Sequence, residues 1–105
     1  MEINKSIGQI IRDFREHKEL LVRQVAALLE VDPSLLSKIE RGDKRPTREQ
    51  IRLLAKILEI DEKELTIAYL SDRLVYEVRD ENFAMEAIKV AEQKIEYLKR
   101  SNTVV

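Results

Sequence analysis

Apolar residues recur along this chain at helical spacing almost from its start. Ile7, Ile10, Ile11 and Phe14 follow the 3, 4 rhythm of one helix face, which predicts a first helix over residues 6 to 18. Gly8 falls inside its first turns, where an internal glycine costs about 1 kcal/mol relative to alanine and suggests close approach by another helix. Val22, Val25, Ala26, Leu28 and Leu29 predict a short second helix over 22 to 29, which must stop before Asp32-Pro33 because proline disfavours helix in the residue before it. Asp32 is placed as N-cap, Pro33 at the first helical position and Gly42 at the left-handed end, so a third helix runs from 33 to 41. Its Leu36 and Ile39 point inward, leaving Pro33, Ser34, Ser37, Lys38 and Arg41 outward.

Thr47 followed by Gln50 reads as a capping box that opens a fourth helix with Ile51, Leu54, Ala55 and Leu58 on its buried face. Asp61 with Glu64 repeats the signature. A fifth helix carries Leu65, Ala68 and Tyr69 and continues through Leu74, Val75 and Val78 to about residue 79, with a kink expected near Ser71-Asp72. Asp80 is the expected cap of a final helix whose Ala84, Ile88, Ala91, Ile95 and Leu98 recur at spacings of 4, 3, 4 and 3, a heptad stripe. The terminal SNTVV is expected to fray. An all-α fold follows, with a front domain over residues 1–68 and a C-terminal helical extension over 69–105.

Composition agrees with helices: 44% of the 105 residues are apolar, 37% are charged, and Gly and Pro occur twice each. Without cysteine there are no disulfides or thiolate metal sites, and His17, the single histidine, has no second His or Cys ligand nearby, so neither a metal nor a cofactor is expected. No apolar run approaches the ~20 residues that span a bilayer, and MEINKSIGQI does not resemble a signal peptide, so no membrane association and a cytoplasmic location are expected. No phosphate loop, nucleophile motif or paired-carboxylate pocket is legible, which argues against an enzyme.

The net charge of −1 conceals a local bias. Between Lys38 and Arg48, five bases (Lys38, Arg41, Lys44, Arg45, Arg48) face two acids (Glu40, Asp43), as on a surface that meets an anion. The second and third helices, joined by Glu30-Val31-Asp32, have the helix-turn-helix arrangement, which presents its second helix to the major groove of double-stranded DNA. In that pose Pro33, Ser34, Leu35, Ser37 and Lys38 face base edges: Lys38 donates to guanine, the serines to base or phosphate, and Leu35 touches a thymine methyl. Arg12, Arg23, Gln24, Arg41, Lys44, Arg45 and Arg48 are the expected phosphate contacts, which give affinity and register without sequence choice.

From Ile7 to about Leu65, "IIRDFREHKELLVRQVAALLEVDPSLLSKIERGDKRPTREQIRLLAKILEIDEKEL" resembles the Xre/Cro family of lambda-repressor-like DNA-binding domains. "SKIERG" with downstream Pro46, "IRLLAKILEI" and "RDFRE" carry the likeness most specifically. It implies a five-helix domain of a bacterial transcriptional regulator or repressor, with DNA contacts on the second and third helices. It also implies an ion pair of Arg15 with Glu40. The "LLVRQVA" variant with this tail is similar to regulators encoded beside restriction-modification genes. Four positions depart from the pattern. Leu21 and Val22 stand where a Ser or Thr cap and a Gln are usual, removing a phosphate clamp that Arg23 or Gln24 would replace; Pro33 stands at a position often polar; and Glu30 stands where the turn usually has Gly.

The tail exceeds what five helices require. A homodimer through Ala84, Ile88, Ala91, Ile95 and Leu98, reading a short palindromic operator, is the expected use. A partner protein on the C-terminal helix, as in an antitoxin, is the alternative.

Overall fold

The computed structural model describes residues 4–104, with side chains described through Ser101. Six helices follow in order: α1 (Ile7–His17), α2 (Val22–Leu29), α3 (Pro33–Arg41), α4 (Arg48–Leu58), α5 (Glu62–Val78) and α6 (Ala84–Val104). The chain divides within α5 into two compact units, one ending at Arg73 and the other beginning at Leu74.

In the first unit, Ile11, Val25, Leu36, Leu54, Leu58 and Leu65 are completely buried, so each of its five helices supplies the core. Their apolar stripes fix which face of each helix is hidden, and burial of side chains of this size contributes about 1.5–3 kcal/mol each. The helix ends are set locally. Ser6 with Gln9, and Thr47 with Gln50, close capping boxes on α1 and α4, and Asp61 Oδ1 accepts the Glu64 amide at 3.0 Å. Asp72 reaches back from α5 to accept the Ile7 amide at 2.7 Å, a carboxylate at a helix N-terminus where the dipole favours it. Lys18 joins Glu59 at 2.8 Å, linking the ends of α1 and α4.

Gly8 is where α1 and α3 touch. A Cβ there would lie 2.4 Å from the Ile39 carbonyl oxygen and 2.6 Å from that of Glu40. The glycine is therefore a packing requirement.

Several expectations are corrected. Phe14 and Leu28, assigned to buried faces, are 39% and 62% exposed, because the α1 and α2 stripes that enter the core are narrower than the apolar spacing implied. α5 runs through Ser71-Asp72 as one helix; Ser71 folds its hydroxyl onto the Ala68 carbonyl at 3.0 Å. Asp80 does not cap α6. Bonds from Arg79 N to Val75 O (2.8 Å) and from Glu81 N to Val78 O (2.9 Å) place it in the turn that closes α5, and α6 begins four residues later, behind Phe83 at φ +67°. α6 also continues through Val104, where fraying was expected; Val105 lies outside the described residues.

In the second unit no described side chain of α6 is buried. Tyr76 and Tyr97 are 60% and 65% exposed, whereas Tyr69, assigned with them to the tail, belongs to the core of the first unit.

Candidate nucleic-acid interface

The α2–α3 turn depends on Glu30 adopting a left-handed conformation (φ 61°, ψ 43°), which most side chains avoid. The Val31 amide then bonds Ala26 O at 3.0 Å and closes α2. Asp32 is extended, and its carbonyl accepts the Leu35 and Leu36 amides at 2.9 and 3.3 Å. Its carboxylate makes no capping bond, a correction to its expected role. Pro33 supplies the first helical residue without losing a donor.

Leu36, Ile39 and Glu40 turn inward, and that choice rotates the opposite face outward. Ser34, Lys38 and Arg41, one above the other at i, i+4 and i+7, are exposed, as is Pro33 beside them. Ser37 and Leu35 are half-buried, and Leu35 packs against the core. This changes the expected weighting: Ser34 and Lys38 project fully, while Leu35 spends part of its surface inside.

The helix is held from behind by an ion pair. Arg15 Nε lies 2.7 Å from Glu40 Oε2 and its Nη2 lies 3.0 Å from Oε1, a bidentate fork, while Nη1 donates to Leu20 O at 2.9 Å. One guanidinium thereby joins α1, α3 and the α1–α2 connection. Both residues are buried, with the Arg15 and Glu40 side chains 11% and 6% exposed. The hydrogen bond to Glu40 holds the Arg15 pKa above its ordinary value, against burial, which lowers it. Removing one member of such a pair costs about 3–5 kcal/mol because the other is left charged inside the protein.

Gly42 (φ 84°) ends α3, and amides of Asp43 and Lys44 wrap back to Lys38 O at 2.8 and 3.3 Å. Lys44 and Arg45 are thus carried out on a pinned loop that re-enters at buried Pro46. Arg48 opens α4, its guanidinium 5.8 Å from the centre of the Tyr69 ring. Arg23 and Gln24 are exposed in the first turn of α2, where Gln24 Oε1 accepts the Leu21 amide at 2.8 Å. Only the amide nitrogen of Gln24 is then suited to face a phosphate. Two other expected contacts have acidic neighbours: Arg41 Nε lies 3.1 Å from Asp43, and Arg12 Nε 3.6 Å from Glu16. Both pairs are solvent-exposed and weak, so a phosphate can compete for either arginine.

The tail residues Ala84, Ile88 and Ala91 are half-buried, and Ile95 and Leu98 are 54% and 58% exposed. Among the described residues no group of three metal-ligating side chains converges, and no helix is long and apolar enough to cross a membrane.

Comparison with known proteins agrees with this geometry. Residues 6–66, more than half of the chain, match the model of a family described as a helix-turn-helix domain. The HTH-type transcriptional regulator SlrR of Bacillus subtilis (strain 168) is 38% identical over 71 residues, covering 68% of this chain and 45% of that protein. The chain thus spans less than half the length of that relative. No solved structure matches.

Proposed function

Because this chain belongs to the helix-turn-helix domain family, we propose that it is a sequence-specific regulator of transcription that binds double-stranded DNA as a homodimer on a short palindromic operator. The observation that carries the reading is the outward ladder of Ser34, Lys38 and Arg41 on a helix fixed from behind by the Arg15–Glu40 fork. The N-terminal half of α3 enters the major groove, where Lys38 donates to guanine and Ser34 and Ser37 to base or phosphate, with Pro33 and Leu35 in apolar contact. Lys44, Arg45, Arg48 and Arg23 lie along the strands, joined by Arg12, Arg41 and Gln24, and hold register. Residues 1–68 bind DNA and 69–105 bring two copies together. The Ala84, Ile88, Ala91, Ile95 and Leu98 stripe supports that pairing, since α6 offers an apolar ladder with no buried side chain of its own. Two copies then address half-sites about 34 Å apart, one helical turn.

The test is selection of bound sites from random DNA, followed by titration of variants on the selected duplex. Lys38→Ala and Ser34→Ala are expected to cost about 1–3 kcal/mol and relax base preference. Lys44→Ala and Arg45→Ala are expected to weaken all duplexes alike and to flatten the salt dependence. Recovered sites without two-fold symmetry, with a monomeric mass in light scattering, would refute the dimer; equal behaviour of the two variant sets would refute the division of roles.

A further inference from the structure

Tyr69 collects two arginines from different helices. Its ring centre lies 5.8 Å from the Arg48 guanidinium, at the start of α4, and 5.6 Å from that of Arg73, three turns into α5. Tyr69 is itself 91% buried in the core of the first unit, so the ring is a fixed platform. Both arginines are exposed, and neither forms an ion pair with a carboxylate among the described residues. The nearest sequence acids are already engaged: Asp72 holds the Ile7 amide, and Glu49 is forked by Arg52. Two like charges thus share one ring, and their mutual repulsion favours an anion beside them.

We infer that Arg73 is a phosphate-binding residue which, with Arg48 on the Tyr69 platform, extends the DNA contact surface from the α3–α4 loop onto α5. The ligand class is the phosphodiester backbone of a duplex. The two guanidiniums are at most about 11 Å apart by their shared distance to the ring, close enough to meet one stretch of a duplex backbone. The aromatic face attracts each cation and limits its freedom, so less side-chain entropy is lost when the anion arrives. Arg48 also sits at the N-terminus of an 11-residue helix, whose dipole adds to the positive potential. Guanidinium rather than ammonium is the apt group here, because it stacks on the ring and still offers its edge donors to phosphate oxygens. The inference rests on the DNA-binding reading above.

It is tested with the full chain and a fluorescein-labelled random-sequence duplex, since a backbone contact needs no operator. Affinity is followed by anisotropy over a range of salt concentrations for wild type, Arg73→Gln, Arg73→Lys and Lys56→Gln. Lys56 is an exposed α4 cation outside the platform and serves as the control. One lost phosphate contact lowers the salt slope by about 0.9 and weakens binding roughly eightfold at 0.1 M salt. Arg73→Gln should show both changes, Arg73→Lys should keep most of the slope, and Lys56→Gln should leave it unchanged. A wild-type slope retained by Arg73→Gln overturns the assignment while the DNA reading stands, and a wild type that binds no duplex at low salt overturns both. Loss equal in Arg73→Gln and Lys56→Gln also overturns it, because generic charge then explains the effect.

Discussion

Replacing Gly8 by alanine puts a methyl group where two carbonyl oxygens already stand. The new Cβ would meet Ile39 O at 2.4 Å, Glu40 O at 2.6 Å and the Glu40 carbonyl carbon at 2.9 Å, each well inside ordinary contact. These atoms belong to the last turns of α3 and cannot swing aside as a flexible side chain would, so α1 and α3 must separate by about 1 Å in a densely packed interior. Overpacking of this kind costs about 1–3 kcal/mol, and backbone obstruction places Gly8 at the upper end. Alanine returns about 1 kcal/mol of helix propensity, which leaves a net loss of about 2 kcal/mol. In urea that lowers the unfolding midpoint by about 1 M with little change in slope, and in a thermal melt it lowers Tm by about 10 °C. Separation of the helices also pulls Glu40 from Arg15, whose oxygens and nitrogens lie 2.7 and 3.0 Å apart. The Gly8→Ala and Glu40→Gln effects should therefore be less than additive in a double-mutant cycle. A neutral or stabilising Gly8→Ala would refute the reasoning, since that is how an exposed helix glycine behaves.

Two further outcomes follow from the helix ends. Glu30→Gly relieves a left-handed residue that costs about 1–2 kcal/mol and removes an unfavourable charge at a helix C-terminus, against about 0.5–1 kcal/mol of added chain entropy. A gain in stability of up to about 1 kcal/mol, read as a higher urea midpoint, is expected, and a lower midpoint refutes the strain. The hydrogen bond from Lys18 holds the Glu59 pKa below its ordinary value of 4.5. With the folded value depressed, the contribution is present above pH 4.5 and is lost as pH falls through the folded pKa. Lys18→Met should accordingly lose less stability than wild type between pH 6 and pH 3, measured by urea midpoints on purified protein; equal losses would show that the contact contributes nothing.

How much of this was legible depends on how local each cause is. α3 could be bounded to the residue because Pro33 fixes its own φ and Gly42 accepts the left-handed conformation that ends the helix. The Thr47–Gln50 box is likewise contained within four residues. The start of α6 was misread because Asp80 has the chemistry of a cap, while the residue that precedes the helix, Phe83, takes a positive φ that phenylalanine rarely adopts. Leu28 shows the limit of periodicity: an apolar residue at helical spacing marks a face, and only tertiary neighbours decide whether that face is covered. Gly8 announced a close approach but not its partner. The Arg15–Glu40 fork was accessible through family resemblance alone, since 25 residues separate its members. Asp72 on the Ile7 amide and Arg48 over the Tyr69 ring carried no signal, because each pairing exists only once α5 has docked.

The polar and close backbone contacts that hold α3 cluster near its C-terminal end. Gly8 abuts the carbonyls of Ile39 and Glu40, Arg15 forks the Glu40 carboxylate, and Gly42 returns the chain so that Lys38 O accepts two loop amides. The N-terminal part, Pro33 to Ser37, is anchored through buried Leu36 and half-buried Leu35, and its other side chains and that of Lys38 face outward or are half-buried. On the proposed reading, rigidity and recognition are assigned to different turns of one nine-residue helix. A surface that reads bases must hold its donors within about 0.5 Å, and under that reading the precision comes from residues that touch no base. Exposed positions away from special contacts usually change stability by within ±0.5 kcal/mol when substituted. Ser34→Ala and Lys38→Ala are therefore expected to leave stability nearly unchanged, while Gly8, Arg15 and Glu40 are constrained by the helix they hold in place.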